Sequence, residues 1–242
     1  MGLGRDVRVG ELDTEFTPPA PRAPYDGAVL VSVVIPTRNR CQLLSRALHS
    51  VLQQTYPHWE AIVVDDGSSD GTADMVAALA DPRIRWVVNP ERCGAGYSRN
   101  LGAGLSRGAF IAFLDSDDCW LPQKLWAQLD ATERMGGRRQ VVICPPACDD
   151  GNGVLPVDQP ILRPGQPIAD YVYAGRQATV LSSCILVDGD FGRRRRFDKR
   201  LRVNQDTDYL LLLERHGARF HCIDTPLFVL DTRRRSDRSQ SR

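Results

Sequence analysis

The sequence predicts an α/β fold, in which helices cover both faces of a mostly parallel, Rossmann-like sheet. Segments 29–35, 61–64 and 110–114 are apolar almost throughout, as strands buried on both faces are. Segments with apolar residues at helical spacing lie between them. A polar cluster follows each of these three strands, at the end where parallel sheets bind their ligands.

The elements alternate from the first strand onward, which the apolar run 29–35 forms and Pro36 ends. The expected order after it is a helix over 41–53, a strand over 61–64, a helix over about 70–80, a strand over 84–88, a helix over 97–106 and a strand over 110–114. In a further helix, Pro122 occupies the first turn, where proline is tolerated, and Gly136-Gly137 ends it.

Composition divides the chain into three parts. Residues 1–27 are polar and carry several closely spaced prolines, which indicates an extended arm. Residues 28–230 are expected to form a single domain. Residues 231–242 are a basic, serine-rich tail, more typical of a solvated end than of an anion-binding segment.

Net charge and cysteine content indicate which partners and which compartment the protein has. The 242 residues carry a formal net charge of +1, which gives no reason to expect nucleic acid or an anionic membrane as a partner. The seven cysteines are odd in number and mostly lie in apolar segments, as free thiols in a reducing compartment do. No apolar run approaches the ~20 residues of a membrane span. We therefore expect a cytoplasmic protein without a transmembrane segment.

The polar clusters PTRNR (36–40), DDGSSDGT (65–72) and DSDD (115–118) are expected to meet at one edge of the sheet. Asp115 and Asp117 are two residues apart beyond a buried strand, and hard carboxylate oxygens suit Mg²⁺ or Mn²⁺. The alternative is a solvated, aspartate-rich turn. The position of the acids beside two other polar strand ends favours a metal site.

The second cluster combines a turn with further acids. Glycine allows the turn, and Ser68, Ser69 or Asp70 can cap the next helix. Capping does not require Asp65 and Asp66 as well, and a carboxylate at the strand end can accept the N–H of a nucleobase. Arg99 opens a helix just before the DSDD strand. It can hold a carboxylate, touch a phosphate or simply be a surface arginine.

Three segments together resemble a known family: VSVVIPTRNR, VVDDGSSDGT and GYSRNLGAGLSRGAFIAFLDSDDCWLPQKL. They are similar to the inverting family 2 glycosyltransferases of GT-A fold, almost continuously over residues 31–129. FDKRLRVNQDTDYLLLLERHG (197–217) is a weaker match to the acceptor-side segment that ends in a Glu-Asp pair in the family.

The resemblance implies transfer of a hexose-type sugar from a nucleotide-sugar donor, a UDP-sugar, to the hydroxyl of a sugar-containing or other acceptor. Residues 28–137 would bind the donor and 138–230 the acceptor. Asp206 would be the catalytic base, and Asp115 and Asp117 the ligands of Mg²⁺ or Mn²⁺. The implied nucleotide-binding residues are Pro36, Thr37, Arg38, Asn39, Asp65, Asp66, Arg99 and Ser116.

Two departures from the family pattern keep other functions open. Gln205 replaces the glutamate of the Glu-Asp pair, and Leu212 stands where arginine is common. A catalytically degenerate domain that binds nucleotide sugar is therefore an alternative. A nucleotidyltransferase is another, but PTRNR lacks the glycine-rich, lysine-containing loop that it requires. Phosphatases with an aspartyl nucleophile carry their DxD after the first strand, whereas here it follows the fourth.

Overall fold

The computed structural model describes residues 29–149, 153–173 and 180–231. The predicted arm and the predicted tail beyond residue 231 lie outside them, and residue 231 ends the last described strand. The strands are β1 (Val31–Thr37), β2 (Trp59–Asp65), β3 (Ile84–Val88), β4 (Phe110–Phe113), β5 (Cys119–Trp120), β6 (Gln140–Ile143), β7 (Pro146–Asp149), β8 (Val154–Pro156), β9 (Leu186–Asp188), β10 (Arg219–Cys222) and β11 (Phe228–Asp231). The helices are α1 (Cys41–Leu52), α2 (Thr72–Ala78), α3 (Ala95–Leu105), α4 (Lys124–Met135), α5 (Ile168–Tyr173), α6 (Gly189–Arg193) and α7 (Gln205–Arg215), and Ser182–Cys184 form a 3-10 turn.

The central sheet has seven strands in the order β10-β6-β9-β4-β1-β2-β3. Only β9 runs antiparallel to its neighbours, so the prediction of a mostly parallel α/β sheet is confirmed. The chain passes from β1 outward to β2 and β3 and then returns to place β4 on the other side of β1. The gap between the carboxyl ends of β1 and β4 is therefore the switch point where such sheets bind ligands.

The predicted elements of the first half agree with the structure to within two residues at each end. Pro36 is an exception in its role, because it lies inside β1 and does not end it. The Val34 carbonyl accepts the Leu114 N–H, so even-numbered residues of β1 face β4. The β4 pairing ends at Val34, and the N–H that Pro36 lacks would point beyond it. Proline therefore costs no ladder hydrogen bond here.

Pro122 also differs from its predicted role. Helix α4 begins at Lys124, with Gln123 as its N-cap, so Pro122 precedes the first turn. Its carbonyl instead accepts the backbone N–H of Thr55 at 2.9 Å and the Thr55 hydroxyl at 3.1 Å. The proline thus joins the start of α4 to the loop after α1. Gly136, at φ 57°, ends α4 as predicted.

A second, four-stranded sheet has the order β5-β11-β7-β8 and draws on the later part of the chain. Strand β5 follows directly on the DSDD turn and pairs with β11. All seven cysteines are free thiols, four of them buried. In the described ranges, no helix has the length and apolar character needed to cross a membrane.

Helix α3 lies so close to the sheet that one of its glycines has no room for a side chain. A Cβ on Gly102 would come within 2.4 Å of Val34 Cγ1 and 3.2 Å of Val64 Cγ2. Gly104, two residues further on, has open space around it. The small residue at 102 therefore sets the depth of α3, which also carries Arg99.

We expect Gly102→Ala to destabilise the fold by about 1–3 kcal/mol, because the methyl group forces α3 away from β1 and β2. Gly104→Ala is the matched control in the same helix. It should leave stability unchanged or raise it by up to ~1 kcal/mol, since alanine favours a helix over glycine. Urea denaturation of both variants measures the difference. Equal stability of the two would contradict the close packing of α3.

Candidate active site at the strand ends

The three polar clusters meet at the carboxyl ends of β1, β2 and β4, as predicted. Asn39 donates its backbone N–H to Ser68 Oγ at 2.9 Å, and its side-chain oxygen accepts the Ser69 N–H at 2.8 Å. Arg40 forms an ion pair with Asp117 at 2.9 Å. The loop after β1 thus contacts both other clusters. Asn39 adopts a positive φ of 48°, which asparagine tolerates better than most residues.

Asp65 and Asp66 are adjacent but hold different loops. Both oxygens of Asp65 lie 3.1 Å from the Ser68 N–H, and the Ser68 hydroxyl also donates to it. Asp66 accepts hydrogen bonds from the Asn89 side chain at 2.8 Å, the Cys93 N–H at 2.7 Å and the Gly94 N–H at 2.9 Å. Asp66 therefore orders the β3–α3 loop. The base contact of either carboxylate stays a prediction.

The N-cap of α2 is Gly71 and not one of the three expected residues, but Asp70 holds the turn just before it. Its carboxylate accepts the Thr72 N–H at the start of α2 and, at 3.0 Å, the Cys41 N–H at the start of α1. The bond from the Thr72 hydroxyl, with those from the two backbone N–H groups, lowers the pKa of Asp70. One aspartate thus fixes the starts of the helices that follow β1 and β2.

Thr37 and Arg38, at the carboxyl end of β1, each have a buried polar atom with no partner among the described residues. These atoms are Oγ1 of Thr37 and Nε of Arg38. Buried polar groups are nearly always hydrogen-bonded in folded proteins, so such atoms at the end of a parallel strand are typical of a ligand site. Ser116, only 2% exposed, lies within the DSDD turn on the other side of the gap between β1 and β4, and Pro36 is buried beneath it.

The acids of the DSDD turn are each balanced by a separate partner. Asp115 forms an ion pair with Arg99 at 2.6 Å, and Asp117 with Arg40. Asp118 accepts the Ser183 hydroxyl at 2.5 Å. Two arginines therefore offset the electrostatic repulsion between Asp115 and Asp117, and Asp118 is stabilised by the hydrogen bond from Ser183.

The donor set of this turn fits a divalent cation that shares its coordination with a ligand. Arg99 contacts one carboxylate oxygen of Asp115, and Arg40 contacts one of Asp117. The second oxygen of each aspartate remains available to a cation. No cluster of three or more His, Cys, Asp or Glu side chains suited to a metal occurs in the described part of the chain. Mg²⁺ is commonly held by one or two carboxylates together with phosphate oxygens, so two carboxylates are enough.

Arg99 joins the two halves of the site. Its side chain is only 7% exposed, and its guanidinium donates to Gln205 Oε1 at 2.8 Å as well as to Asp115 and lies 5.3 Å from the centre of the Phe197 ring. Burial by itself lowers the pKa of Arg99, but Asp115 and Asp206 outweigh this, and the pKa is raised. Of the roles considered for Arg99, the structure supports that of holding a carboxylate.

Asp206 lies in the first turn of α7, after Asn204, whose φ is 58°. It accepts a hydrogen bond from the Ser182 hydroxyl, and Ser182 is fully buried. Burial and the nearby negative charge of Asp115 raise the pKa of Asp206, against the opposing effects of Arg99 and Ser182. A carboxyl group with a raised pKa is a better proton acceptor, once ionised, than an ordinary aspartate.

The two departures from the family pattern have different surroundings. Gln205 accepts a hydrogen bond from Arg99 at 2.8 Å and donates to the Leu201 carbonyl at 2.5 Å, so the neutral amide contacts Arg99 without adding a charge. Leu212 lies further along α7, where it packs against the hydrophobic core.

Sequence patterns did not reveal Ser182, Ser183 or Asn89 as site residues. Ser183 accepts the Asp115 N–H at 3.0 Å in addition to its bond to Asp118. The two serines precede a short strand without a charge or a spacing that marks them. Their only sequence signal is a pair of hydroxyls beside an apolar run.

Comparison with known proteins places this architecture in a family. A family model described as glycosyl transferase family 2 matches residues 32–202. Over 100 residues the chain is 44% identical to UDP-Glc:alpha-D-GlcNAc-diphosphoundecaprenol beta-1,3-glucosyltransferase WfgD of Escherichia coli, covering 41% of this chain and 40% of that protein. Over 204 residues it is 28% identical to the amylovoran biosynthesis glycosyltransferase AmsB of Erwinia amylovora, covering 81% and 67%.

The fold is shared with solved structures of TarS from S. aureus. Residues 1–349 of TarS in complex with UDP superimpose with a TM-score of 0.68 at 20% identity, over 83% of this chain and 60% of that one. This likeness identifies the GT-A fold. The matched region amounts to only about two fifths of the length of relatives such as WfgD.

We expect Arg99→Leu to destabilise the fold by about 2–4 kcal/mol, because it leaves the half-buried carboxylates of Asp115 and Asp206 without their shared cation. Arg134→Leu is the control: Arg134 is 68% exposed, pairs with Asp130 on α4, and should cost less than about 1 kcal/mol. Urea denaturation at neutral pH measures both. A loss for Arg99→Leu no larger than for Arg134→Leu would show that the buried pair does not organise the site.

Proposed function

Because the chain belongs to glycosyltransferase family 2, we propose that it is an inverting glycosyltransferase. It moves a sugar from a nucleotide-sugar donor, a UDP-sugar, to an acceptor hydroxyl. The observation that carries this proposal is the linkage of Asp206 to the DSDD turn through Arg99, which contacts both Asp115 and the neighbour of Asp206, Gln205. The proposed proton acceptor, Asp206, and the positive charge of Arg99 thereby lie in one site.

The donor's nucleoside lies, in this proposal, beside the ends of β1 and β2. The unpartnered Thr37 Oγ1 and Arg38 Nε supply a donor hydroxyl and a cationic N–H to it. Pro36, Asn39, Asp65, Asp66 and Ser116 shape the same gap. UDP and UDP-GlcNAc are the ligands of TarS in its solved complexes, which supports a uridine nucleotide as the donor here.

Asp115 and Asp117 would hold Mg²⁺ or Mn²⁺ together with the diphosphate of the donor. Both cations prefer hard oxygen ligands, which this turn provides. When bound, the cation stabilises the negative charge that develops on the leaving diphosphate. Arg40 and Arg99 add positive charge to the same turn through their ion pairs with Asp117 and Asp115.

Asp206 acts as the general base. The acceptor hydroxyl must lose its proton as its oxygen bonds to the anomeric carbon, and a positioned carboxylate takes that proton. Attack from the face opposite the leaving group inverts the anomeric configuration in one displacement. Ser182 fixes the carboxylate from behind through its hydroxyl.

The acceptor in this proposal is itself a carbohydrate. One relative carries in its name a diphosphoundecaprenol-linked sugar as acceptor, and another is named for amylovoran biosynthesis. Residues 138–230, which include Asp206 and the 3-10 turn, form the acceptor half. Gln205 accepts a hydrogen bond from Arg99 although it lacks the charge of a glutamate, which favours an active enzyme over a degenerate binding domain.

The metal is tested by ligand-induced stabilisation. UDP with Mn²⁺ should raise the free energy of unfolding by about 2.7 kcal/mol when free ligand is ~100-fold above its dissociation constant. With EDTA the gain should be much smaller, because the diphosphate then lacks its bridging cation. Asp117→Ala should abolish the metal-dependent part in thermal melts. Asp74→Ala, which removes an exposed acid from α2, should preserve it. Equal gains with Mn²⁺ and EDTA in the unaltered protein would refute metal binding.

The base is tested with Asp206→Asn, which keeps the shape of the side chain but cannot take a proton. Transfer to the acceptor should fall by about 10²–10⁴-fold, with donor affinity nearly unchanged. The fold should remain stable, since an amide can still accept the Ser182 hydroxyl and burying it costs less than burying a charge. Asp208→Asn in the same helical turn is the control, with a mild effect. A transfer rate close to that of the unaltered protein would mean that another group is the base.

The raised pKa of Asp206 also predicts the pH dependence of the rate. The base must be ionised, so kcat should fall with decreasing pH, with an acidic midpoint above the ordinary range of an aspartate. The pH profile of transfer, measured at saturating donor and acceptor, gives this midpoint. An acidic midpoint at or below pH ~4 would be inconsistent with a buried carboxyl as the base.

A further inference from the structure

A cavity lined by arginines lies on the sheet edge opposite the candidate active site. Its volume is about 380 Å³, and it is lined by Arg138, Arg139, Arg194, Arg195, Asp188, Asp190 and Phe191. Arg138 and Arg139 directly precede β6, and Arg194 and Arg195 directly follow α6. Because β6 and β9 are antiparallel, the start of β6 and the end of β9 lie at the same edge of the sheet. The carboxyl ends of β1 and β4 are at the other edge. This arginine cavity is therefore separate from the donor site.

The two acids of the arginine cavity are already occupied. Asp188 accepts the Phe191 N–H at 3.0 Å as the N-cap of α6. Asp190 forms an ion pair with Arg193 at 2.6 Å. Four arginines against two aspartates leave an excess of positive charge in the arginine cavity.

The arginines retain unused hydrogen-bond donors. Arg139 donates to the His216 carbonyl at 3.3 Å, while Arg138 and Arg194 are exposed. The Arg195 guanidinium lies 4.7 Å from the centre of the Phe191 ring, and its buried Nε has no partner in the described residues. No carboxylate among the described residues forms an ion pair with Arg138, Arg194 or Arg195. The planar forks of these side chains are thus free to bind an anion.

We propose that the arginine cavity binds a phosphate group. Guanidinium groups donate two parallel hydrogen bonds to phosphate oxygens, and a phosphate group carries negative charge to match the excess. None of the exposed large hydrophobic residues lines the cavity, so the ligand is recognised by its charge. An anionic lipid head group and a free oligophosphate share this chemistry. The arginine cavity would therefore bind a second ligand, at a place separate from the nucleotide-sugar donor.

Two probes distinguish the sources, both used with EDTA at low salt. One is inorganic pyrophosphate, followed by calorimetry. The other is vesicles of phosphatidylglycerol mixed with phosphatidylcholine, followed by co-sedimentation against phosphatidylcholine alone. The test variant is Arg138→Ala/Arg194→Ala. The control, Arg83→Ala/Arg163→Ala, removes the same charge from exposed arginines outside the arginine cavity.

Each arginine near an anionic membrane surface contributes roughly five-fold in binding, so the test variant should bind the anionic vesicles about 30-fold more weakly. For pyrophosphate the loss should be at least ~10-fold. The control should lose little in either assay, and ~0.5 M salt should weaken the binding of the unaltered protein. Binding of pyrophosphate supports a free oligophosphate, and binding of vesicles alone supports a lipid head group. Binding of neither probe, or an equal loss in the control, would overturn the proposal.

Discussion

One ion pair, between the buried Arg99 and the half-buried Asp115, holds the candidate site together. A guanidinium removed from water costs several kcal/mol unless its charge and its donors are matched. Asp115 matches the charge at 2.6 Å, Gln205 takes a further N–H, and the Phe197 ring lies beside the cation. Three elements far apart in the chain are therefore fixed by one side chain. Gly102 makes this possible, because it lets α3 pack close to the sheet.

The 3-10 turn of Ser182 and Ser183 provides a second connection across the same site. Ser183 receives the Asp115 N–H and donates to Asp118, and Ser182 donates to Asp206. Adjacent hydroxyls thus orient both the acids that follow β4 and the acid that begins α7. Because both serines are fully buried, their hydrogen bonds are protected from competition with water. The relative position of the proposed metal ligands and the proposed base therefore depends on the core rather than on exposed loops.

Gln205 takes part in this arrangement as a neutral hydrogen-bond partner of Arg99. A glutamate at this position would compete with Asp115 and Asp206 for the single positive charge of Arg99. The neutral amide leaves that charge to the two aspartates, which opposes the rise in the pKa of Asp206 caused by burial. The departure from the family pattern is thus compatible with an ionisable base, and it makes Arg99 more effective in stabilising the ionised form.

The α/β class, the order of the first seven elements and the meeting of three polar clusters at one sheet edge could all be predicted from the residues alone. They follow from local patterns: apolar runs, helical spacing, and polar residues at strand ends. The partners of each acid, the place of Pro36 inside β1 and the roles of Ser182, Ser183 and Asn89 became visible only in the folded chain. The contacts involved join residues up to 106 positions apart, such as Arg99 and Gln205. Their energies depend on burial and distance, which no local pattern of residues specifies.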